Sequence, residues 1–111
     1  MLSASDRGRT LVFDEIDTGV GGRLGPQVGT HLRRVAQGHQ VLCVTHQPAI
    51  AAAAHVHLHV TKRVERGRTR TVIEPLEGDS RITEVADMIA GGADEKTARA
   101  EARRLLKSSA P

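Results

Sequence analysis

Residues 10–22, TLVFDEIDTGVGG, form the stretch on which the rest of the chain depends. Leu11 to Phe13 are consecutive β-formers without alternation, which predicts a short strand buried on both faces, as in a parallel sheet covered by helices. Acidic residues and a glycine-rich turn follow this strand directly. Because open α/β sheets bind ligands at the carboxyl ends of their strands, we expect a functional edge at this point.

The acids of this stretch are Asp14, Glu15 and Asp17. Like charges crowded at a partly buried edge repel one another unless a cation or a basic group compensates them, which favours a metal-related role. The alternative is a set of solvated acids, with Asp17 or Thr18 capping the next helix.

Composition and charge limit the class of protein. A chain of 111 residues with 39% hydrophobic content predicts one soluble domain, residues 1–111. No apolar run approaches the roughly 20 residues that span a bilayer, so we expect a cytoplasmic protein with no membrane partner. The net charge of +3 permits contact with phosphates, while a single Phe without Tyr or Trp argues against platforms that stack single-stranded bases. The single cysteine, Cys43, is predicted to be a buried core residue.

The next segment repeats the strand–helix order. Apolar residues at three- and four-residue spacing predict a helix from about Gly25 to Gly38, and residues 40–45, QVLCVT, predict a second strand. His46 follows the carboxyl end of that strand, and Pro48 suits the first turn of a short helix ending at Ala54. In a parallel pair of strands, His46 lies at the same edge as the acids.

The C-terminal half predicts a hairpin and two helices. The hairpin joins His55–Arg63 to Thr69–Glu74 through a turn at Gly67, and Pro75 ends it. One helix begins at Asp79 or Ser80 and ends near Ala90, and the other covers 94–106. The apolar positions that we expect to face inward are Ile82, Val85, Ala86, Ile89, Ala98, Ala102 and Leu105. The fold class is therefore α/β, with a small, mainly parallel sheet, flanking helices, a C-terminal hairpin and two final helices.

Three other patterns allow competing interpretations. The turn around Gly19 to Gly25 approaches a dinucleotide fingerprint, but Leu24 stands where the third glycine belongs, and the neighbouring acids disfavour a pyrophosphate. His55, His57 and His59 suggest a metal site, although the first and last lie roughly 13 Å apart on a strand, and a helix-covered or solvated face explains them better. The basic residues of the hairpin could touch DNA phosphates, but we favour an ordinary solvated surface. These residues are Lys62, Arg63, Arg66, Arg68 and Arg70.

The stretches LVFDEIDTGVGG and VLCVTHQP together closely resemble the RecN family of bacterial DNA repair proteins, which are relatives of the SMC proteins within the ABC-type ATPases. LVFDE resembles a Walker B strand, DTGVGG a D-loop, and VTH the switch histidine. The later stretches TRTVIEPLEGDSRITEVADMIAGG and TARAEARRLL are similar to the C-terminus of that family. The resemblance covers nearly the whole chain and implies part of an ABC/SMC-type P-loop NTPase head.

The resemblance also implies roles for individual residues. Asp14 would help bind Mg²⁺, Glu15 would orient or activate the attacking water, and His46 would contact the γ-phosphate of ATP. The D-loop would lie at the junction with a second ATPase head of a homodimer. Its nucleotide-contacting residues would be Asp17, Gly19, Gly21 and Gly22.

The chain also departs from the family pattern. A Walker A loop, a coiled coil and an ABC signature are absent from the 111 residues, so we expect the C-terminal part of a head, with the missing N-terminal part of the same head as its partner. The complete protein would hydrolyse ATP and act at the nucleoid in the repair and recombination of DNA double-strand breaks. The alternatives are a non-catalytic basic module that binds DNA or another partner on an ATPase-derived scaffold, and a dinucleotide-binding oxidoreductase domain.

Overall fold

The computed structural model describes residues 8–14, 24–89 and 94–109. Within these ranges the chain is α/β, as predicted. The elements are β1 (Thr10–Asp14), α1 (Gly25–Val35), β2 (Gln40–Val44), α2 (Pro48–Ala53), β3 (His57–Glu65), β4 (Arg68–Leu76), α3 (Gly78–Ile89) and α4 (Glu95–Ser109). No helix in the described ranges is long and apolar enough to cross a membrane.

Strands β1 and β2 form a parallel pair, and α1 connects them. The register runs from Thr10 opposite Gln40 to Asp14 opposite Val44. This confirms the predicted parallel pairing. It also brings the carboxyl ends of the two strands to one edge of the sheet.

The prediction that β1 is buried on both faces is wrong for the described structure, and β2, which was expected to be a buried strand, is also exposed on one face. Exposure alternates along both strands, and Val12, Leu42 and Val44 keep 66%, 47% and 59% of their surface exposed. Cys43, on the opposite face, is only partly buried. The described helices cover one face of this pair and leave the other open, a distinction that a continuous apolar run does not encode.

The core lies between the helices. Helices α3 and α4 pack through Val85, Ala86, Ala98 and Ala102, with partly buried Ile and Leu side chains around them. The small alanines allow the helix backbones to approach closely, and the buried segment Ile50–Ala53 of α2 belongs to the same interior. The predicted inward positions of both C-terminal helices are confirmed.

The hairpin of β3 and β4 is antiparallel, with nine paired positions from His57 opposite Leu76 to Glu65 opposite Arg68. Arg66 and Gly67 form its two-residue turn with φ angles of 50° and 76°, as a type I′ turn requires. Pro75 does not end the strand as predicted, because β4 continues through Leu76. A proline is tolerated there because β4 is an edge strand, where the missing N–H removes no ladder bond.

Candidate functional site

Asp14 is the last residue of β1, and its side chain is exposed at the carboxyl end of the sheet. Its position opposite Val44 means that the chain leaving β2 begins beside it, about 5 Å away in the hydrogen-bonding direction. An exposed carboxylate at this edge can reach a hydrated cation without first losing its own hydration.

His46 lies two residues after the end of β2, and its side chain is exposed. The parallel register therefore places the Thr45–Gln47 segment and Asp14 at the same edge of the sheet. An imidazole at that edge can hydrogen-bond an anionic oxygen in either of its protonation states. The two predicted site residues that the structure describes, Asp14 and His46, thus lie at the same edge of the sheet.

The predictions for Glu15, Asp17, Gly19, Gly21 and Gly22 fall outside the described residues. The assignment of Glu15 to the attacking water stays a prediction. So does the assignment of the other four residues to the nucleotide and the second head. Chain order alone places all five between Asp14 and the start of α1.

Hydrogen bonds hold the backbone on the C-terminal side of His46. The amide of Gln47 donates to Oγ1 of Thr45 at 3.0 Å, and the carbonyl of Gln47 accepts from the amide of Ala51 at 3.1 Å. Pro48 begins α2 immediately afterwards with its φ already set for a helix. These contacts fix the direction in which the chain passes from the strand through His46 into α2.

Glycines in α1 allow this helix to lie directly against α2. A Cβ at residue 25 would meet Oε1 of Gln47 at 2.8 Å, and one at residue 29 would meet Cβ of Ala53 at 2.9 Å. The packing role of these glycines was not predicted from the sequence, where Gly25 was considered as the start of a helix and as part of a phosphate-binding turn. The usable signal was the four-residue spacing of the two glycines, since it puts both on one face of a helix.

Two arginines cap the carboxyl end of α2. Nη1 of Arg33 donates to the carbonyl of Ala53 at 2.6 Å, and Nη2 of Arg81 donates to the carbonyls of Ala54 at 2.7 Å and Ala51 at 3.2 Å. Burial, and then the charge of nearby Arg33, lower the pKa of Arg81. Cations at a helix C-terminus satisfy its free carbonyls and oppose its dipole, so α2 is held at both ends. No local sequence signal marks these contacts, because they join residues 20 to 30 positions apart.

The row of histidines is not arranged as a metal site within the described residues, where no group of three His, Cys, Asp or Glu side chains could hold an ion. Nε2 of His59 lies 3.4 Å from Oε2 of Glu84 on α3. Burial lowers the pKa of His57, and the charges of Arg81 and His59 lower it further. These contacts agree with the interpretation of a strand face covered by a helix.

A cavity of about 480 Å³ lies between β2, α1, α2 and the start of β3. Its walls are mainly apolar and include Leu32, Val41, Cys43 and Ile50. Nδ1 of His39 and Nδ1 of His57 are buried without a hydrogen-bond partner among the described residues, and both side chains line this space. The region beside β2 is therefore less completely packed than the α3–α4 core.

Comparison with known proteins identifies the family. No family model matches the chain. The chain is 45% identical over 109 residues to the DNA repair protein RecN of Mycobacterium leprae. This matched region covers 98% of this chain and 18% of that protein. For the RecN proteins of Bacillus subtilis and Streptomyces coelicolor the identities are 39% and 40%, over 90% and 98% of this chain.

The chain spans less than a fifth of the length of these relatives, between 17% and 19%. The matches to the Mycobacterium leprae and Streptomyces coelicolor proteins each extend over 109 residues of this chain, so the aligned region includes the strand-end acids, the His46 segment and the hairpin. This chain therefore belongs to the RecN family of DNA repair proteins.

Proposed function

We propose that this chain forms the C-terminal part of a RecN-type ATPase head, and that the complete protein couples ATP hydrolysis to the repair of DNA double-strand breaks by recombination at the nucleoid. The observation that carries the proposal is the parallel register of β1 and β2, which puts Asp14 and the His46 segment at one sheet edge in a chain of the RecN family. Family membership favours this function over a dinucleotide-binding domain.

The residue roles follow from the chemistry of phosphoryl transfer, which requires compensation of phosphate charge and an oriented nucleophile. Asp14 offers an exposed carboxylate, a donor that suits Mg²⁺ held through water. Mg²⁺ would compensate the phosphate charge of bound ATP. Glu15 would orient the attacking water, and His46 would donate a hydrogen bond to the γ-phosphate. Asp17, Gly19, Gly21 and Gly22 would contact nucleotide at the junction of two heads in a homodimer.

The uncovered surface beside β1 and β2 supports a partner for this chain. Val12, Leu42 and Val44 form an exposed apolar face, and the cavity next to β2 is lined by further apolar side chains. Contiguous exposed apolar surface of this kind marks an interface. We assign it to the N-terminal part of the same head, which would complete a P-loop NTPase fold. The isolated chain should then hydrolyse ATP no faster than background.

A chimera tests this function. In the RecN protein of Mycobacterium leprae, the segment that aligns with this chain would be replaced by the chain itself. We expect the chimera to hydrolyse ATP and His46→Ala to reduce the turnover at least tenfold, because a hydrogen bond to the transferring phosphoryl group is lost. His31→Ala, which changes an exposed histidine of α1, should leave turnover unchanged. A chimera without turnover would favour the non-catalytic scaffold, and an active chimera that is indifferent to His46→Ala would contradict the role assigned to His46.

A further inference from the structure

The hairpin of β3 and β4 carries an unusual share of the charge. Between residues 57 and 76 it contains five basic side chains and two carboxylates. Its net charge is therefore +3, which equals the net charge of the whole chain. All of these basic side chains are exposed. The basic side chains are Lys62, Arg63, Arg66, Arg68 and Arg70, and the carboxylates are Glu65 and Glu74.

Part of this charge is unfavourable for the hairpin itself. Arg63 lies directly opposite Arg70, and like charges in facing positions destabilise a sheet. Their ion pairs with Glu74 at 3.3 Å and Glu65 at 3.8 Å join exposed side chains, and such pairs contribute little stability. Packing and pairing within the hairpin therefore do not explain why arginine occupies both positions.

The arginine in the turn, Arg66, is also unfavourable for the stability of the hairpin. Arg66 has a φ of 50° and is the one residue other than glycine with a positive φ in the described ranges. Type I′ turns strongly prefer Asn, Asp or Gly at this position, because other side chains are strained there. Positions at which a sequence breaks a local rule without structural compensation are often functional.

We propose that the tip of this hairpin, residues 62–70, binds the phosphate backbone of duplex DNA. The inference rests on the proposed role in DNA repair for the choice of DNA as the polyanion. Exposed Lys and Arg side chains bind phosphates by displacing condensed counterions, and a two-stranded ribbon fits the major groove of a duplex. The hairpin has no aromatic residue, so it lacks the stacking surface that single-strand binding uses.

The base of the hairpin is anchored while its tip is free to contact a partner. His59 meets Glu84 of α3 near the base, whereas residues 62–70 are exposed on both faces. Among the described residues, Lys62, Arg66 and Arg68 have no ion pair within the hairpin or outside it. These three side chains can therefore bind phosphates without first breaking an ion pair to a described residue.

The salt dependence of DNA binding tests the proposal. Binding of a fluorescent duplex by the 111-residue chain would be measured by anisotropy over a series of salt concentrations. The triple variant Lys62→Gln/Arg66→Gln/Arg68→Gln should reduce the slope of log K against log salt by about 2 to 3, since each phosphate contact contributes about 0.9. The control Arg34→Gln/Arg103→Gln/Lys107→Gln removes the same charge from exposed helical positions and should leave the slope nearly unchanged.

A single substitution separates this role from a structural one. Arg66→Asn gives the turn its preferred Asn-Gly pair, so it should raise the melting temperature while it reduces the salt slope by about 0.9. A change that stabilises the fold and weakens DNA binding cannot be explained by loss of structure. If Arg66→Asn raises the melting temperature without changing the slope, Arg66 does not contact phosphate and the proposal is contradicted.

The remaining outcomes are equally decisive. Equal loss of binding in the two triple variants would show a dependence on net charge alone, and absence of duplex binding at low salt would also overturn the proposal. Tighter binding to an acidic protein surface than to duplex would assign the tip to a protein partner instead. ATP turnover by the chimera distinguishes this result from failure of the proposed function, because the hairpin variants should leave that turnover unchanged in the absence of DNA.

Discussion

His57 shows how the fold changes the chemistry of a single residue. In the sequence it belongs to a row of three histidines, and in the fold it lies near the charge of Arg81, with Nδ1 buried and without a hydrogen-bond partner among the described residues. Its pKa is lowered from the ordinary value of 6.5, first by burial and then by the charges of Arg81 and His59. The folded chain therefore binds a proton at His57 less readily than the unfolded chain does.

This shift predicts the direction of a pH effect on stability. Around pH 6.5 the unfolded chain binds more protons at His57 than the folded chain does, so the free energy of unfolding falls as the pH falls through this range. His57→Asn should remove the contribution of His57 to this fall in the free energy of unfolding, as measured by urea unfolding between neutral and mildly acidic pH. His31→Asn, at an exposed position, should keep the dependence of the parent. Identical pH profiles for His57→Asn and the parent would contradict the assigned environment of His57.

Other residue-level features could be read only from the structure. The pattern of acids and His46 indicated one edge of a parallel sheet, because β-strand periodicity and chain order are local signals. The contacts of Arg33 and Arg81 with the end of α2 depend on tertiary folding, and neither arginine differs in sequence context from a solvated one. Sequence thus located the edge of the site but not the side chains that hold α2 in place beside it.

At the scale of elements, the contact between α1 and α2 depends on Gly29. A Cβ at this position would lie 2.9 Å from Cβ of Ala53 and 3.2 Å from the carbonyl oxygen of Ala49, and neither atom is the end of a flexible side chain. Alanine is a better helix former than glycine by about 1 kcal/mol. Overpacking of a tight contact costs about 1 to 3 kcal/mol, so the steric effect should prevail.

We therefore expect Gly29→Ala to lower the free energy of unfolding by up to about 2 kcal/mol in urea denaturation. Gln27→Ala, on the exposed side of the same helix, should change stability by less than about 0.5 kcal/mol. Adding Ala53→Gly to Gly29→Ala should recover part of the loss, since it removes the clashing atom, and the double-mutant cycle measures this coupling. A Gly29→Ala variant more stable than the parent would show that the two helices are not in close contact.

The positions of the helices and turns could be predicted from local sequence signals, whereas the burial of the strands could not. Prolines and glycines marked the starts of α1 and α2 and the turn of the hairpin, and the structure confirms those bounds to within a few residues. Burial on both faces was predicted for β1, and β2 was expected to be a buried strand, but Val12 and Val44 are exposed. Three successive apolar residues indicate that both faces of a strand can be buried. Which faces are buried depends on the other elements that pack against the strand.

At the scale of the whole molecule, the chain is less compact than its length suggests. Its radius of gyration is 15.3 Å, against about 13 Å for a compact domain of this size. Exposed apolar side chains occur on the β1–β2 pair, at Val12, Leu42 and Val44, and on the hairpin, at Leu58, Val60 and Ile73. These two surfaces give the molecule apolar area that is available to a partner.

The exposed surfaces predict self-association of the isolated chain. Apolar patches and open strand edges promote contacts between copies, so sedimentation should show mass increasing with concentration. Val12→Thr/Val44→Lys should reduce this association, while the charge-matched variant Ser108→Lys, at an exposed position of α4, should not. A parent chain that stays strictly monomeric and melts sharply would contradict the assignment of the β1–β2 face to a partner.

Glu15→Gln in the RecN chimera tests most directly whether the acids at the carboxyl end of β1, Asp14 and Glu15, serve ATP hydrolysis. The substitution keeps the size of the side chain and removes the charge that would orient the attacking water, so ATP should still bind while turnover falls by on the order of 10² or more. Asp14→Asn should in addition weaken Mg²⁺-dependent binding of ATP, because a hard cation prefers an anionic oxygen. Hydrolysis by Glu15→Gln at the rate of the unsubstituted chimera would contradict the account.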